Sequence, residues 1–416
     1  MTAHTAFVIV GAGLGGAKAA QTLREEGFSG PVVLLGEESE RPYERPPLSK
    51  GYLLGKDERE TVYVHPPQWY ADHDVDLRLR TTVTAIDPAA HEVSLADGSP
   101  LGYAKLLLTT GSSPRRLPVP GADLDGVLCL RRLDDSDRIK ETLASASRIA
   151  VIGAGWIGLE TAAAARAAGV EVTMLEAGEL PLLKLLGREA AQIFADLQTD
   201  HGVDLRCAVR VAEITGDDGR ANGVLLADGS RIEADAVIVG IGITPNTQLA
   251  EAAGLETGNG VRVDAHLRSS HHDIYAAGDV ANAFHPLLGT PIRVEHWANA
   301  LNQPQTAAKA MLGQDVSYDR VPYFFTDQYD LGMEYTGYVE PGGYDQVVFR
   351  GRIDTREFIA FWLSGGRVLA GMNVNVWDVT DPIRTLVTSG RVVDPKKLAD
   401  TDVPLADLLG ASDPAG

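Results

Sequence analysis

The 416-residue sequence has only two cysteines, Cys129 and Cys207, far apart and without a CxxC or Cys/His spacing, so neither a disulfide framework nor a zinc site is signalled. Two buried thiols are the reading this favours. No apolar run is long enough to span a bilayer, and MTAHTAFVIVGAG at the start lacks the basic region and cleavage site of a signal peptide. The expectation is a cytoplasmic protein with no membrane partner. Positive charge is scarce: 37 Lys+Arg stand against 57 Asp+Glu, a formal net charge of −20. Phosphate polymers would be repelled at long range, which sets nucleic-acid binding aside. The ten histidines show no HExxH or comparable ligand spacing, so no metal site is expected, and the adjacent His271 and His272 read as a solvated turn.

What is abundant is glycine, at 44 residues, and its placement exposes a repeat. AFVIVGAGLGGAKAAQTLREEGFSGPVVLLGEE (6–38) recurs as RIAVIGAGWIGLETAAAARAAGVEVTMLEAG (148–178), each reading strand, glycine turn, helix, strand. The first strand of each is a continuous β-branched run, as a parallel strand covered on both faces requires. DGSPLGYAKLLLTTGSSPRR (97–116) likewise matches DGSRIEADAVIVGIGITPNT (228–247), each with a DG turn, a buried strand and a glycine bend. The chain is therefore expected to be α/β, with whole nucleotide-binding units duplicated. From 321 the texture changes: aromatics crowd into YFFTDQYDLGMEYTGY, and QVVFRGRI, EFIAFWL and RVLAGMNV read as strands of a separate unit.

Gly11, Gly13 and Gly16 form GxGxxG directly after a strand, with Leu14 and Gly15 between them. The first glycine permits the turn, the second lets a pyrophosphate reach the backbone, and the third lets helix and strand pack closely. Glu37 ends the next strand, where it can accept hydrogen bonds from a ribose. Gly153, Gly155 and Gly158 repeat the motif around Trp156 and Ile157, with Glu176 as the matching acid. Two such motifs in register are far more specific than one. LEAGELPLL (175–183) has two acids and no arginine, so a 2′-phosphate would be repelled and NADH favoured over NADPH; Lys184 is the nearest base.

Together these motifs, with PPLSK (46–50), TTGSSPR (109–115) and YAAGDVAN (275–282), resemble the FAD-dependent pyridine-nucleotide reductases with a glutathione-reductase-like fold. YERPPLSKGYLLG (43–55) and RVEHWANALNQPQTAAKAMLG (293–313) narrow the resemblance to the NAD(P)H:ferredoxin reductase branch, that of putidaredoxin reductase, rhodocoxin reductase and the reductase components of aromatic dioxygenases. The resemblance implies two Rossmann-like domains plus a C-terminal α/β domain: 1–112 and 243–320 for FAD, 113–242 for NAD, and 321–416. It places Gly11 to Gly16 on the FAD pyrophosphate, Glu37 on the adenosine ribose, Arg45 and Lys50 along the FAD, and Val83 near the adenine. Thr110 and Gly111 would close the site, Arg131 would contact the flavin, and Gly278 and Asp279 would lie on the ribityl chain. Glu295, His296 and Trp297 would sit by the isoalloxazine. Gly153 to Gly158 would hold NADH, with Glu160 near the nicotinamide, Glu176 on the ribose, and Gly240 and Gly242 in the corresponding bend. The branch commonly carries an arginine just after that acid; here Leu180 stands near the place.

The implied activity is hydride transfer from NADH to FAD and single-electron delivery to a [2Fe–2S] ferredoxin, or a rubredoxin, that feeds an oxygenase; the protein would be a monomer or homodimer. Lys50 is the expected catalytic cation, favouring a flavin that turns negative on reduction, and Glu160 the carboxylate that fixes it. On residues alone Lys50 also reads as a solvated loop lysine, Glu160 as a first-turn helix acid, and Arg131 as a surface ion pair. A disulfide reductase or peroxidase would need cysteine beside the flavin, which ERPYERPPLSK (40–50) does not supply. An NADH-sensing flavoprotein resembling apoptosis-inducing factor, or an NADH oxidase, are the remaining alternatives.

Overall fold

The computed structural model describes residues 5–409; the outermost residues of the expected first and last segments, and the first four residues weighed against a signal peptide, lie outside them. The chain forms two compact units. One contains the residues up to Pro46, Glu58–Ser113 and Ile243–Pro322; the other contains Pro47–Asp57, Pro114–Gly242 and the residues from Tyr323 onward.

In the first unit a parallel sheet runs in the order Ile274–Ala276, Lys105–Leu108, Phe7–Val10, Val32–Leu35, Val75–Arg78. Phe7 is in register with Val32 on one side and Lys105 on the other, and all of Phe7–Val10 is buried. The β-branched runs are apolar on both faces because both faces are covered. Helices Leu14–Glu25 and Trp297–Met311 lie together, closely enough that a Cβ on Gly15 would stand 3.2 Å from Pro304 Cγ. Phe7–Val10 is paired on both sides at the centre of the sheet, and the carboxyl ends of such strands are where α/β sheets take their ligands.

The second unit repeats the plan with the order Asp204–Arg206, Glu171–Leu175, Arg148–Ile152, Ala236–Val239, Val127–Leu128. The duplication reaches individual hydrogen bonds. Ser99 N and Oγ donate to Asp97 Oδ1 at 2.9 and 2.6 Å; Ser230 N and Oγ donate to Asp228 Oδ1 at 2.9 and 2.6 Å. Both carboxyls are held below the usual range by those serine bonds.

The C-terminal part is an antiparallel sheet in the order Tyr323–Gln328, Leu331–Gly337, Arg367–Val374, Glu357–Ser364, Gln346–Arg352. FIAFWL (358–363) is apolar throughout because its two faces enter two different cores. Phe358, Ala360 and Trp362 join the nucleotide-sheet core with Leu186 and Phe194, while Ile359, Phe361 and Leu363 pack with Ile383 and Leu386 of helix Thr380–Ser389. Trp362 Nε1 donates to Leu186 O at 2.9 Å, satisfying a wholly buried indole.

Two expectations change. Cys129 and Cys207 are half-buried rather than buried. His272 is exposed as a turn residue should be, but His271 is half-buried, and His272 Nε2 pairs with Asp273 Oδ2 at 2.8 Å. Lys105 Nζ occupies the other oxygen of Asp273 at 2.5 Å, so the cluster is an ion-pair network. Among the described residues no helix is long and apolar enough to cross a membrane.

Candidate functional site

The two glycine turns are superimposable in their steric logic. Gly11 has φ +116°, and a Cβ there would lie 2.2 Å from Thr109 O; Gly153 has φ +98°, with Gly240 O at 2.5 Å. A Cβ on Gly16 would meet Gly11 O at 2.1 Å, and one on Gly158 would meet Gly153 O at 2.0 Å. The middle glycines differ: nothing among the described residues lies within 4 Å of a Cβ on Gly13 or Gly155, and both have ordinary extended φ values of −92° and −78°. Packing therefore requires glycine at the first and third positions only. At the second it leaves open space beside the amides of Leu14–Glu25 and Trp156–Ala167, whose first turns carry no acid. An anion approaching the backbone is what such space suits, and a dinucleotide pyrophosphate fits both turns.

The acids that follow are placed differently. Glu37 is exposed beyond Val32–Leu35. Glu176 is pinned: Ala154 N donates to Oε2 at 2.8 Å and Gly178 N to Oε1 at 2.6 Å, which fixes a negative charge against its glycine turn. Lys184 is exposed in the first turn of helix Leu183–Asp200. Sequence spacing missed Arg206, whose strand partner is Leu175, the residue before Glu176; its guanidinium is engaged by Asp204 at 2.8 and 2.9 Å. The pairing of separate strands, not local spacing, brings it there.

Around the first turn, Thr110 and Gly111 are tied to Asn246, a residue not singled out in sequence. Thr110 Oγ1 donates to Asn246 O at 3.0 Å, Asn246 Nδ2 to Thr110 O at 2.8 Å, and Asn246 N to Gly111 O at 2.9 Å. Gly278 and Asp279 form a turn after Ile274–Ala276, held by Gly278 N donating to Gln303 Oε1 at 2.8 Å. Arg293, buried as far as its side chain is concerned, pairs with Glu295 and donates to Asp279 O at 3.3 Å. Trp297 Nε1 donates to Glu44 Oε2 at 3.0 Å, joining helix Trp297–Met311 to the 40–50 loop. Arg45 lies 3.5 Å from Glu38; burial works against its charge, but Tyr43, Glu38 and Asp279 outweigh that and raise its pKa. Burial draws half-buried His296 down from 6.5 to about 4, with Asp279 opposing, so it is neutral near pH 7. Val83 is buried at the start of Val83–Asp87.

In the second unit the structure brings Lys50 and Glu160 together. Pro46–Ser49 forms a single turn of 3-10 helix, the prolines pre-setting its backbone, and delivers Lys50. Lys50 Nζ lies 2.6 Å from Glu160 Oε1, with side chains 16% and 3% exposed. Lys50 is thus no freely solvated loop lysine. Glu160 is not a first-turn acid either: it points into the core from the second turn of its helix. Ser49 Oγ donates to Glu160 Oε2, and Thr326 Oγ1 to Oε1 at 2.5 Å. Ser49 lies inside PPLSK but nothing in that stretch marks it as a partner of Glu160, and Thr326 carries no motif. Arg131 is half-buried just before helix Leu133–Leu143, its backbone N donating to Asp135 Oδ2 at 3.0 Å. Gly240 and Gly242 flank the turn that receives Gly153.

The pyridine nucleotide-disulphide oxidoreductase family matches residues 5–310, and a reductase C-terminal family matches 323–409. The chain is 39% identical to rhodocoxin reductase of Rhodococcus erythropolis, over 96% of this chain and 93% of that one. It is 41% identical to the 5,5′-dehydrodivanillate O-demethylase ferredoxin reductase subunit of a Sphingobium species, over 98% and 99%. Among solved structures, the covalent putidaredoxin reductase–putidaredoxin complex superposes with a TM-score of 0.95 at 36% identity, covering 100% of both chains.

The middle glycines yield a discriminating expectation. Gly13→Ala and Gly155→Ala should fold with near-normal melting temperature yet each lose dinucleotide affinity at its own turn by at least about 10-fold, whereas Gly16→Ala should destabilise the fold itself; calorimetry with titrated dinucleotide separates them. His296 gives a pH expectation. The unfolded chain holds more protons between pH 6.5 and about 4, so stability present above that window is lost as pH falls through it. The melting temperature of His296→Gln should fall less steeply across that window than that of the wild type.

Proposed function

Because the chain belongs to the pyridine nucleotide-disulphide oxidoreductase family and is an oxidoreductase using FAD and NAD(P)H, we propose that it takes hydride from NADH and passes electrons singly to a [2Fe–2S] ferredoxin, or a rubredoxin, that serves an oxygenase. One observation carries the proposal: two open dinucleotide cradles stand in a chain whose thiols are unsuited to redox work. Burial raises the pKa of both Cys129 and Cys207, aided by nearby Asp135 and Glu176 respectively, so neither is an activated thiolate. A protein that loads electrons from a nucleotide without a thiol outlet needs an external carrier. Similarity to a rhodocoxin reductase and to a ferredoxin reductase subunit supports that carrier being an iron–sulfur protein.

In this reading 1–112 and 243–320 form the FAD-binding domain, 113–242 the NAD-binding domain and 321–416 the C-terminal domain, in a cytoplasmic enzyme. Gly11, Gly13, Leu14, Gly15 and Gly16 hold the FAD pyrophosphate, with Glu37, Arg45, Val83, Thr110, Gly111, Arg131, Gly278, Asp279, Glu295, His296 and Trp297 along the cofactor. Gly153, Gly155, Trp156, Ile157, Gly158, Gly240 and Gly242 hold NADH. Bound FAD supplies an acceptor for two electrons that can be released one at a time. Lys50 offers the positive charge that offsets the negative charge arriving with hydride, and Glu160 anchors that ammonium so that no reorganisation is needed when the charge appears. Glu176, fixed by two backbone amides, repels a 2′-phosphate, while Arg206 is already occupied by Asp204. This favours NADH.

Holoprotein assayed with cytochrome c tests the proposal. Reduction should be fast only when a [2Fe–2S] ferredoxin or rubredoxin is added, with kcat/KM for NADH at least about 10-fold above that for NADPH. NADH oxidation indifferent to every such carrier would contradict it and favour an oxidase or a sensor.

A further inference from the structure

Glu160 Oε1 is shared between the Lys50 ammonium at 2.6 Å and the Thr326 hydroxyl at 2.5 Å, while Ser49 Oγ takes Oε2. The terminal torsion of a glutamate is broad, so an ammonium alone would not fix the carboxylate plane. Two hydroxyl donors, one on each oxygen and from distant parts of the chain, do fix it. Thr326 is itself 1% exposed, and its hydroxyl has one proton to give. Gln328 Nε2 donates to Thr326 Oγ1 at 3.3 Å, Gln198 Nε2 donates to Gln328 Oε1 at 3.0 Å, and Tyr329 OH donates to Gln198 Oε1 at 3.0 Å. Every donor in this row points the same way. With its acceptor side filled by an amide, the Thr326 hydroxyl keeps its proton for Glu160. The strand carrying Thr326 also sets Phe325 with its ring centroid 5.4 Å from Lys50 Nζ.

We infer that Thr326 is a positioning residue: through the row Tyr329–Gln198–Gln328–Thr326, buried from Gln198 onward, the C-terminal sheet fixes the Glu160 carboxylate and, through it, the Lys50 ammonium. The C-terminal segment then completes the electrostatic device on which flavin reduction depends. This rests on the role given to Lys50 above, so the test separates the two.

Thr326→Val preserves volume and removes the donor; Thr326→Ser preserves the donor. In holoprotein, Lys50 reactivity is read without turnover by competitive acylation with acetic anhydride and mass spectrometry, and flavin reduction by stopped flow at saturating NADH. Thr326→Val should label Lys50 at least about 3-fold faster and reduce its flavin about 10-fold more slowly with NADH affinity unchanged, and Thr326→Ser should restore both to within about 2-fold. Combined with Lys50→Met, Thr326→Val should add little further slowing, because both act through one group. Wild-type labelling and wild-type reduction in Thr326→Val would overturn the inference. Wild-type reduction in Lys50→Met would instead overturn the role of Lys50, while the labelling result would still decide whether Thr326 positions it. Should the valine variant lose FAD, Thr326→Ala carries the same two readouts.

Discussion

A carboxylate that is 3% exposed cannot stand alone, and the second unit is organised around satisfying Glu160. Three separate stretches of chain meet at it: Ser49 and Lys50, the helix Trp156–Ala167 that carries Glu160, and the strand Tyr323–Gln328. Each contributes something the others cannot. The proline-fixed turn brings a cation, the helix brings the acid, and the sheet brings a hydroxyl whose proton is directed by buried amides. The cost of burying the acid is offset only while all three are docked, so the pair also binds Pro47–Asp57 to the rest of its unit.

The glycine turns answer a different constraint. Anions are drawn to helix starts by unpaired backbone amides, but only where no side chain intervenes. Both turns place glycine where the backbone of a neighbouring strand leaves no room for a Cβ, and again where room is needed for a ligand. The same sequence motif thus encodes two unrelated requirements, one of packing and one of binding, separable by adding a single methyl group.

Much of this was legible in the sequence. The duplicated strand–turn–helix units, the strand-end acids and the strands of the C-terminal sheet follow from local periodicity and glycine placement, and the paired Asp97 and Asp228 turns confirm the duplication atom by atom. Lys50 and Glu160 were identifiable as candidates through family resemblance, yet their contact spans 110 residues and no spacing could announce it. Thr326, Gln328 and Gln198 were invisible because buried hydroxyls and amides look like surface residues until a strand register brings them together. Arg206 escaped for the same reason. The expectation of buried thiols failed because composition says nothing of where a strand end meets solvent.

In the proposed function, Lys50, held by Glu160, stabilises the negative charge of reduced flavin. Spectroelectrochemical titration of the flavin midpoint potential in wild type and Lys50→Met tests it without dependence on NADH binding. Loss of the cation should disfavour the reduced, negatively charged cofactor and move the two-electron potential more negative by at least about 30 mV. An unchanged or more positive potential, in a variant that retains its FAD, would contradict this role for Lys50.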